Sequence, residues 1–113
     1  MEQMQSLSIT LRIDGKNKRF VTPAFISGKL FRQASEIAEE IESGDSKKFD
    51  FDKYFQFVCD AFGNQFDVNQ LEEGLDSRLV IKTIFAVVNY VIGNIEQASA
   101  LLVQDEESKE VKN

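Results

Sequence analysis

The chain contains no histidine and no tryptophan, and only one cysteine and one proline. Each scarcity removes a class of chemistry. Without histidine there is no Ser-His-Asp triad, no Cys-His pair and no imidazole ligand for a metal. A lone Cys59 forms neither an internal disulfide nor a thiolate zinc cluster, and its place in an apolar helical stretch reads as an inert buried thiol. Neither G-x-x-x-x-G-K-[ST] nor G-x-G-x-x-G occurs, so phosphate-cradling loops have no support. Long hydrophobic runs are missing too. The longest apolar cluster, residues 84–88, falls far below the roughly 20 residues a membrane span requires. No basic segment leads into an apolar run near Met1, so neither a signal peptide nor a membrane partner is expected.

Positive charge is in deficit as well. Thirteen Lys and Arg face nineteen Asp and Glu, a net charge of −6. Nucleic-acid binders usually present a basic face. The Lys16, Lys18 and Arg19 cluster surrounds a turn where solvated lysines are ordinary, so no nucleic-acid partner is expected. Among the carboxylates, Asp50 and Asp52 superficially open a calcium loop, but Phe55 stands where such a loop needs glycine. Helix capping explains Asp50 better, and Glu39, Glu40 and Glu42 read as a solvated face. The expectation is a protein that is not an enzyme, with no catalytic residue, cofactor or metal.

What is present is a core. Hydrophobic residues make up 42% of the 113, with ten phenylalanines, enough for one compact domain. Leu7, Ile9, Leu11 and Ile13 alternate with Ser8, Thr10 and Arg12, the period-two mark of a half-buried strand. Asp14-Gly15 follows as a hairpin turn. Residues 18–22 return as a second strand, with Phe20 or Val21 inward, and Pro23 ends it.

From Ser27 the period becomes helical, with Leu30, Ala34, Ile37, Ala38 and Ile41 on one face and charges on the other. Ser27 is the expected N-cap and Gly44 the stop. Residues 44–48 form a polar connection read as a mobile loop. Asp50 caps a second helix whose apolar side is Phe51, Tyr54, Phe55, Val58, Cys59 and Phe62, with Gly63 at its end. Asp67 and Gln70 make a capping box for a short helix closed by Gly74. Asp76 or Ser77 caps a fourth, apolar almost all round and therefore central. Gly93 ends it, or Ile95, Ala98 and Leu102 continue it. The fold class is α+β, an N-terminal β-hairpin packed on a bundle of three to four helices. Residues 1–103 form the single domain, and residues 104–113 a disordered, acidic, charged C-terminal tail.

Several of these features, in this order, resemble one family. They are Ile13-Asp14-Gly15-Lys16, Phe20-Val21-Thr22-Pro23, the basic stretch from Ser27 to Ala34, and Phe57-Val58 leading to Phe62-Gly63-Asn64-Gln65-Phe66-Asp67. Gly74-Leu75 and Val91-Ile92-Gly93 complete the set. Together they are similar to the small tail assembly chaperones of long-tailed, non-contractile phages of Gram-positive bacteria. Glu73 departs from the pattern, standing where an aromatic residue is expected.

The resemblance implies a protein of the bacterial host cytoplasm that binds the tape measure protein and keeps it soluble for tail tube polymerisation. Such a protein is absent from the mature virion. The tail tube protein is a further partner, reached chiefly through a frameshifted longer form, and this chain looks like the short form. Self-association into a homo-oligomer is also anticipated. Phe85, Val87, Ile95, Leu101 and Leu102 are surplus apolar positions, read either as a groove for tape measure helices or as core and oligomer contacts. Lys29 and Arg32 are read either as partner contacts or as a solvated face. Two rival readings stand beside the chaperone: an acidic inhibitor mimicking nucleic acid, and a generic protein-binding adaptor.

Overall fold

The structure is a computed structural model that describes residues 6–44, 47, 49–94, 98 and 100–102. Among them the elements follow as β1 (Ser8–Ile13), β2 (Lys16–Val21), α1 (Gly28–Ser43), α2 (Phe51–Ala61), α3 (Val68–Gly74), a 3₁₀ turn (Ser77–Leu79) and α4 (Val80–Ile92). The architecture is α+β. A two-stranded antiparallel hairpin, with Ser8 opposite Val21 and Ile13 opposite Lys16, packs on the helices.

Local chemistry accounts for the hairpin. Asp14 and Gly15 both adopt positive φ, 55° and 77°, the geometry of the two-residue turn whose twist matches the flanking strands. Leu7, Ile9 and Leu11 then point into the core. On the returning strand Phe20 is the inward residue, set edge-on to Phe66 with ring centroids 4.9 Å apart, while Val21 is exposed. At the open end Thr22 ties the hairpin to the helices. Its N–H donates to the Leu7 carbonyl at 2.9 Å, and its hydroxyl accepts from the Leu7 N–H at 3.0 Å and donates to the Tyr90 hydroxyl at 3.1 Å. Thr22 and Tyr90 are both buried, so these bonds are shielded from competing water.

The helix boundaries mostly follow their capping residues. Gly44 (φ 71°) ends α1 with its N–H on the Ile41 carbonyl, although Ser27, at the N-cap position, makes no side-chain capping bond. Asp50 caps α2 by accepting from the Lys53 N–H at 3.1 Å. Asp67 and Gln70 form the full reciprocal box on α3, at 2.8 and 3.0 Å. Asp76 caps the 3₁₀ turn, which runs directly into α4.

Gly74 closes α3 as expected, as the helix's last residue, and a Cβ there would lie 2.7 Å from the Arg12 carbonyl oxygen. Its smallness lets α3 press against the β1 backbone. Two expectations are corrected. The buried face of α2 includes Phe57 and Ala61, whereas Phe51 is 50% exposed and stacks on Phe49 and Phe55. Because α2 contacts α1, α3 and α4 together, its buried arc is wider than one stripe. Helix α4 is central and packs on α1 and α2, but Ile81 in its first turn is 42% exposed.

Gly93 (φ 113°) ends α4. Beyond it Ala98, whose N–H reaches the Asn94 carbonyl at 3.1 Å, is helical, as are Ala100, Leu101 and Leu102. Residues 104–113, and residues 45, 46 and 48 of the polar connection, lie outside the described residues.

Candidate binding surface

A groove of about 410 Å³ runs along the outer edge of β1. It is lined by Ser8, Ile9, Thr10 and Arg12 of β1, Asn17 of β2, the α3–α4 junction from Glu73 to Asp76, and Leu79, Thr83 and Leu102. Thr83 is 1% exposed.

The sequence-selected residues divide among different environments. Leu102 lines this groove and, like Leu101 and Phe85, packs half-buried against the core. Val87 is 0% exposed and belongs to the core itself, so it supports the surface from beneath and offers it no atoms. Lys29 and Arg32 are exposed on α1, three positions apart and hence neighbours on one helix face. Ile95 lies outside the described residues.

Among the most accessible large apolar groups are two, Phe25 and Phe31, that the periodicity did not single out. Phe25 is 80% exposed, and Phe31 and Phe51 about half exposed. Phe25 sits in the irregular stretch between Pro23 and the start of α1, where no periodic pattern governs its direction. The legible signal was a phenylalanine in a segment with no element to bury it. Phe31 stands at the fourth helical position with Ile26 just before the N-cap, the spacing of a hydrophobic staple.

Burial shifts two titratable groups, Tyr54 and Cys59. The Tyr54 hydroxyl donates to Glu40 at 2.7 Å, and Lys53 pairs with the same carboxylate at 2.8 Å. Burial, then the hydrogen bond to Glu40, push the Tyr54 phenol up to about 12. Burial, then the nearby Asp60 and Asp67 charges, push the Cys59 thiol up to about 11, the opposite of an activated nucleophile. Among the described residues no group of three or more Asp, Glu, Cys or His side chains is arranged to hold a metal ion, and no helix is long and apolar enough to cross a membrane.

Exposed aromatic rings and an open groove are features of a protein-binding surface. The family model described as "Phage tail chaperone protein" matches residues 4–112. The chain belongs to the phage tail chaperone family. No curated protein and no solved structure matches it. Membership implies binding to tail proteins, and the exposed apolar side chains of this member are candidates for that contact.

Proposed function

We infer that this tail chaperone binds the tape measure protein in the host cytoplasm and keeps it soluble until tail tube subunits polymerise around it. The observation that carries this reading is a family match spanning almost the whole chain on a protein with several large apolar side chains left at its surface. A tape measure protein is long and helical, and its apolar stripes need reversible cover. Helix-in-groove packing supplies such cover without a catalytic residue. The half-buried Phe85, Leu101 and Leu102, with exposed Ile81 on the same helix as Phe85, form the proposed contact, and Val87 holds that layer in place. Lys29 and Arg32 serve as flanking polar contacts. The net charge of −6 keeps a coated complex dispersed. The tail tube protein is a second partner, reached chiefly through a longer form, and self-association is a further feature of this reading.

The test is co-expression with the tape measure protein of the same phage. Soluble tape measure protein that co-purifies with this chain supports the reading. Aggregation of the tape measure protein beside folded, abundant chaperone sinks it for this chain. A Leu101→Ser, Leu102→Ser variant that keeps both fold and capture removes those residues from the contact.

A further inference from the structure

We propose that the outer face of α1 is the contact between two copies of this chain, which pair antiparallel about a two-fold axis at the height of Ala34. The inference deepens the self-association in the proposed function by naming its surface. It is tested on the chaperone alone, so its failure leaves tape measure capture standing.

The face is uncovered and its charges are ordered. Helix α1 packs on α4 and α2 through the side that buries Ala34 and Ile37. Away from them, Lys29, Arg32, Glu36 and Glu39 are all exposed. Their spacing of three, four and three residues makes one stripe along the helix. The two cations stand toward its N-terminus and the two carboxylates toward its C-terminus. None of the four makes an ion pair among the described residues. Arg32 and Glu36 are four apart, but in the less favourable order for a pair on one helix.

This order runs against the helix dipole. A helix N-terminus favours anions and a C-terminus cations, and α2 conforms, with Asp52 in its first turn. Helix α1 has no acid in its first turn and no base in its last; Lys29 and Glu42 stand there instead. An antiparallel neighbour reverses the relation. Each pair of cations then lies toward the negative end of the other helix, and each pair of carboxylates toward its positive end.

Symmetry selects a second copy as the occupant. The midpoint of Lys29 and Glu39 is position 34, and so is the midpoint of Arg32 and Glu36. One two-fold axis at that height therefore sets Lys29 against the second copy's Glu39 and Arg32 against its Glu36, and the reverse. A two-fold interface must be self-complementary, and this stripe is so in a single register. Parallel pairing instead sets like charges together, which is costly. On the flank toward α2, Lys53 is held by Glu40 at 2.8 Å and Asp60 accepts from Gln56 at 3.0 Å. On the other flank half-exposed Phe31 adds apolar area.

Two magnitudes set the strength. The net charge of −6 repels a second copy, but at physiological ionic strength exposed charges farther apart than about 8 Å are largely screened. The local pattern therefore governs. A helix of 16 residues is about 24 Å long, and a stripe about 10 Å wide along it covers on the order of 240 Å². That is well below the roughly 800 Å² per partner of a standard interface, so the pair is weak and exchanges readily. Lys29 and Arg32 also flank the proposed cargo contact, so cargo and the second copy compete for them.

The experiment is sedimentation of the full chain at physiological ionic strength over a wide concentration range. The mass is expected to rise from one chain toward two and to stop there. Lys29→Glu with Arg32→Glu makes the stripe all acidic, and Glu36→Lys with Glu39→Lys makes it all basic. Each variant alone is expected to pair at least about tenfold more weakly than the native chain. An equal mixture of the two is expected to recover native pairing or better. The all-basic variant carries a smaller net charge than the native chain, so its loss of pairing does not come from overall repulsion. A spin label on the Ser43→Cys variant reports orientation, since Cys59 is buried and stays unlabelled. The labels lie roughly 27 Å apart along the helix axes in the antiparallel pair, at about 1.5 Å per residue, and side by side in a parallel one.

A native chain that stays monomeric at the highest concentration overturns the proposal. So do reversed variants that pair as the native chain does, a mixture that gains nothing, a mass that grows past two chains, or a short label distance. If a reversed variant fails to fold, the label distance decides, because it is read on a chain whose stripe is intact.

Discussion

At the residue scale the decisive positions are those where two distant parts of the chain touch. Gly74 abuts the Arg12 backbone with no room for a methyl group, since the nearest atom would be a carbonyl oxygen at 2.7 Å, and a backbone oxygen yields less easily than a side-chain end. Gly74→Ala is therefore expected to destabilise by about 1–3 kcal/mol, the range for overpacking, read as a lower urea midpoint with unchanged slope. It is also expected to distort the groove wall.

Two buried acids act together at high pH. Tyr54 and Cys59 have folded values near 12 and 11 against ordinary values of 10.0 and 9.0. The folded chain thus holds both protons over a range in which the unfolded chain has released them. Their contribution to stability is complete below about pH 9 and falls as pH rises through 9 to 12. Denaturant midpoints at pH 8, 10 and 11.5 should decline, and a Tyr54→Phe, Cys59→Ala variant should decline less steeply. In the native chain at neutral pH, Cys59 should react with a thiol reagent only as fast as the protein opens.

At the element scale, capping is the link from sequence to boundary. The Asp67–Gln70 box, with both reciprocal bonds formed, holds a helix of seven residues, too short to persist on its own propensity. Asp67→Ala is expected to cost about 0.5–2 kcal/mol, measured by chemical denaturation, and to loosen α3 first in amide exchange. These caps were legible because each rests on residues three apart, as was the hairpin turn at Asp14-Gly15. Which arc of a helix is buried was less legible. Period 3.6 gave α2 a direction, yet Phe57 and Ala61 went inside while Phe51 stayed half out, because three neighbouring helices surround α2. Ser27 shows the converse: the residue type and position suited a cap, and the bond is not made.

At the scale of the whole molecule, the hairpin closes one side of a helical core, and the Thr22–Tyr90 bond fastens the two together. Large apolar groups remain outside that core. Phe25 at 80% exposure contributes little to folding, so Phe25→Ser should change stability by no more than about 0.5 kcal/mol. If Phe25 touches cargo, the same variant should recover less tape measure protein in co-purification at equal chaperone expression. Full recovery would remove Phe25 from the contact.

The sequence by itself determined what depends on near neighbours: the α+β order of elements, the turn, the caps of α2 and α3, the helix stops at Gly44 and Gly63, and a motif order sufficient to suggest the family. Tertiary structure alone decided the rest. It sent Val87 into the core and left Leu102 beside β1, it set Gly74 against the β1 backbone, and it made the outer edge of β1 one side of a groove. Periodicity and capping are set within a turn or two of chain, whereas a groove exists only where segments remote in sequence approach and stop short of contact.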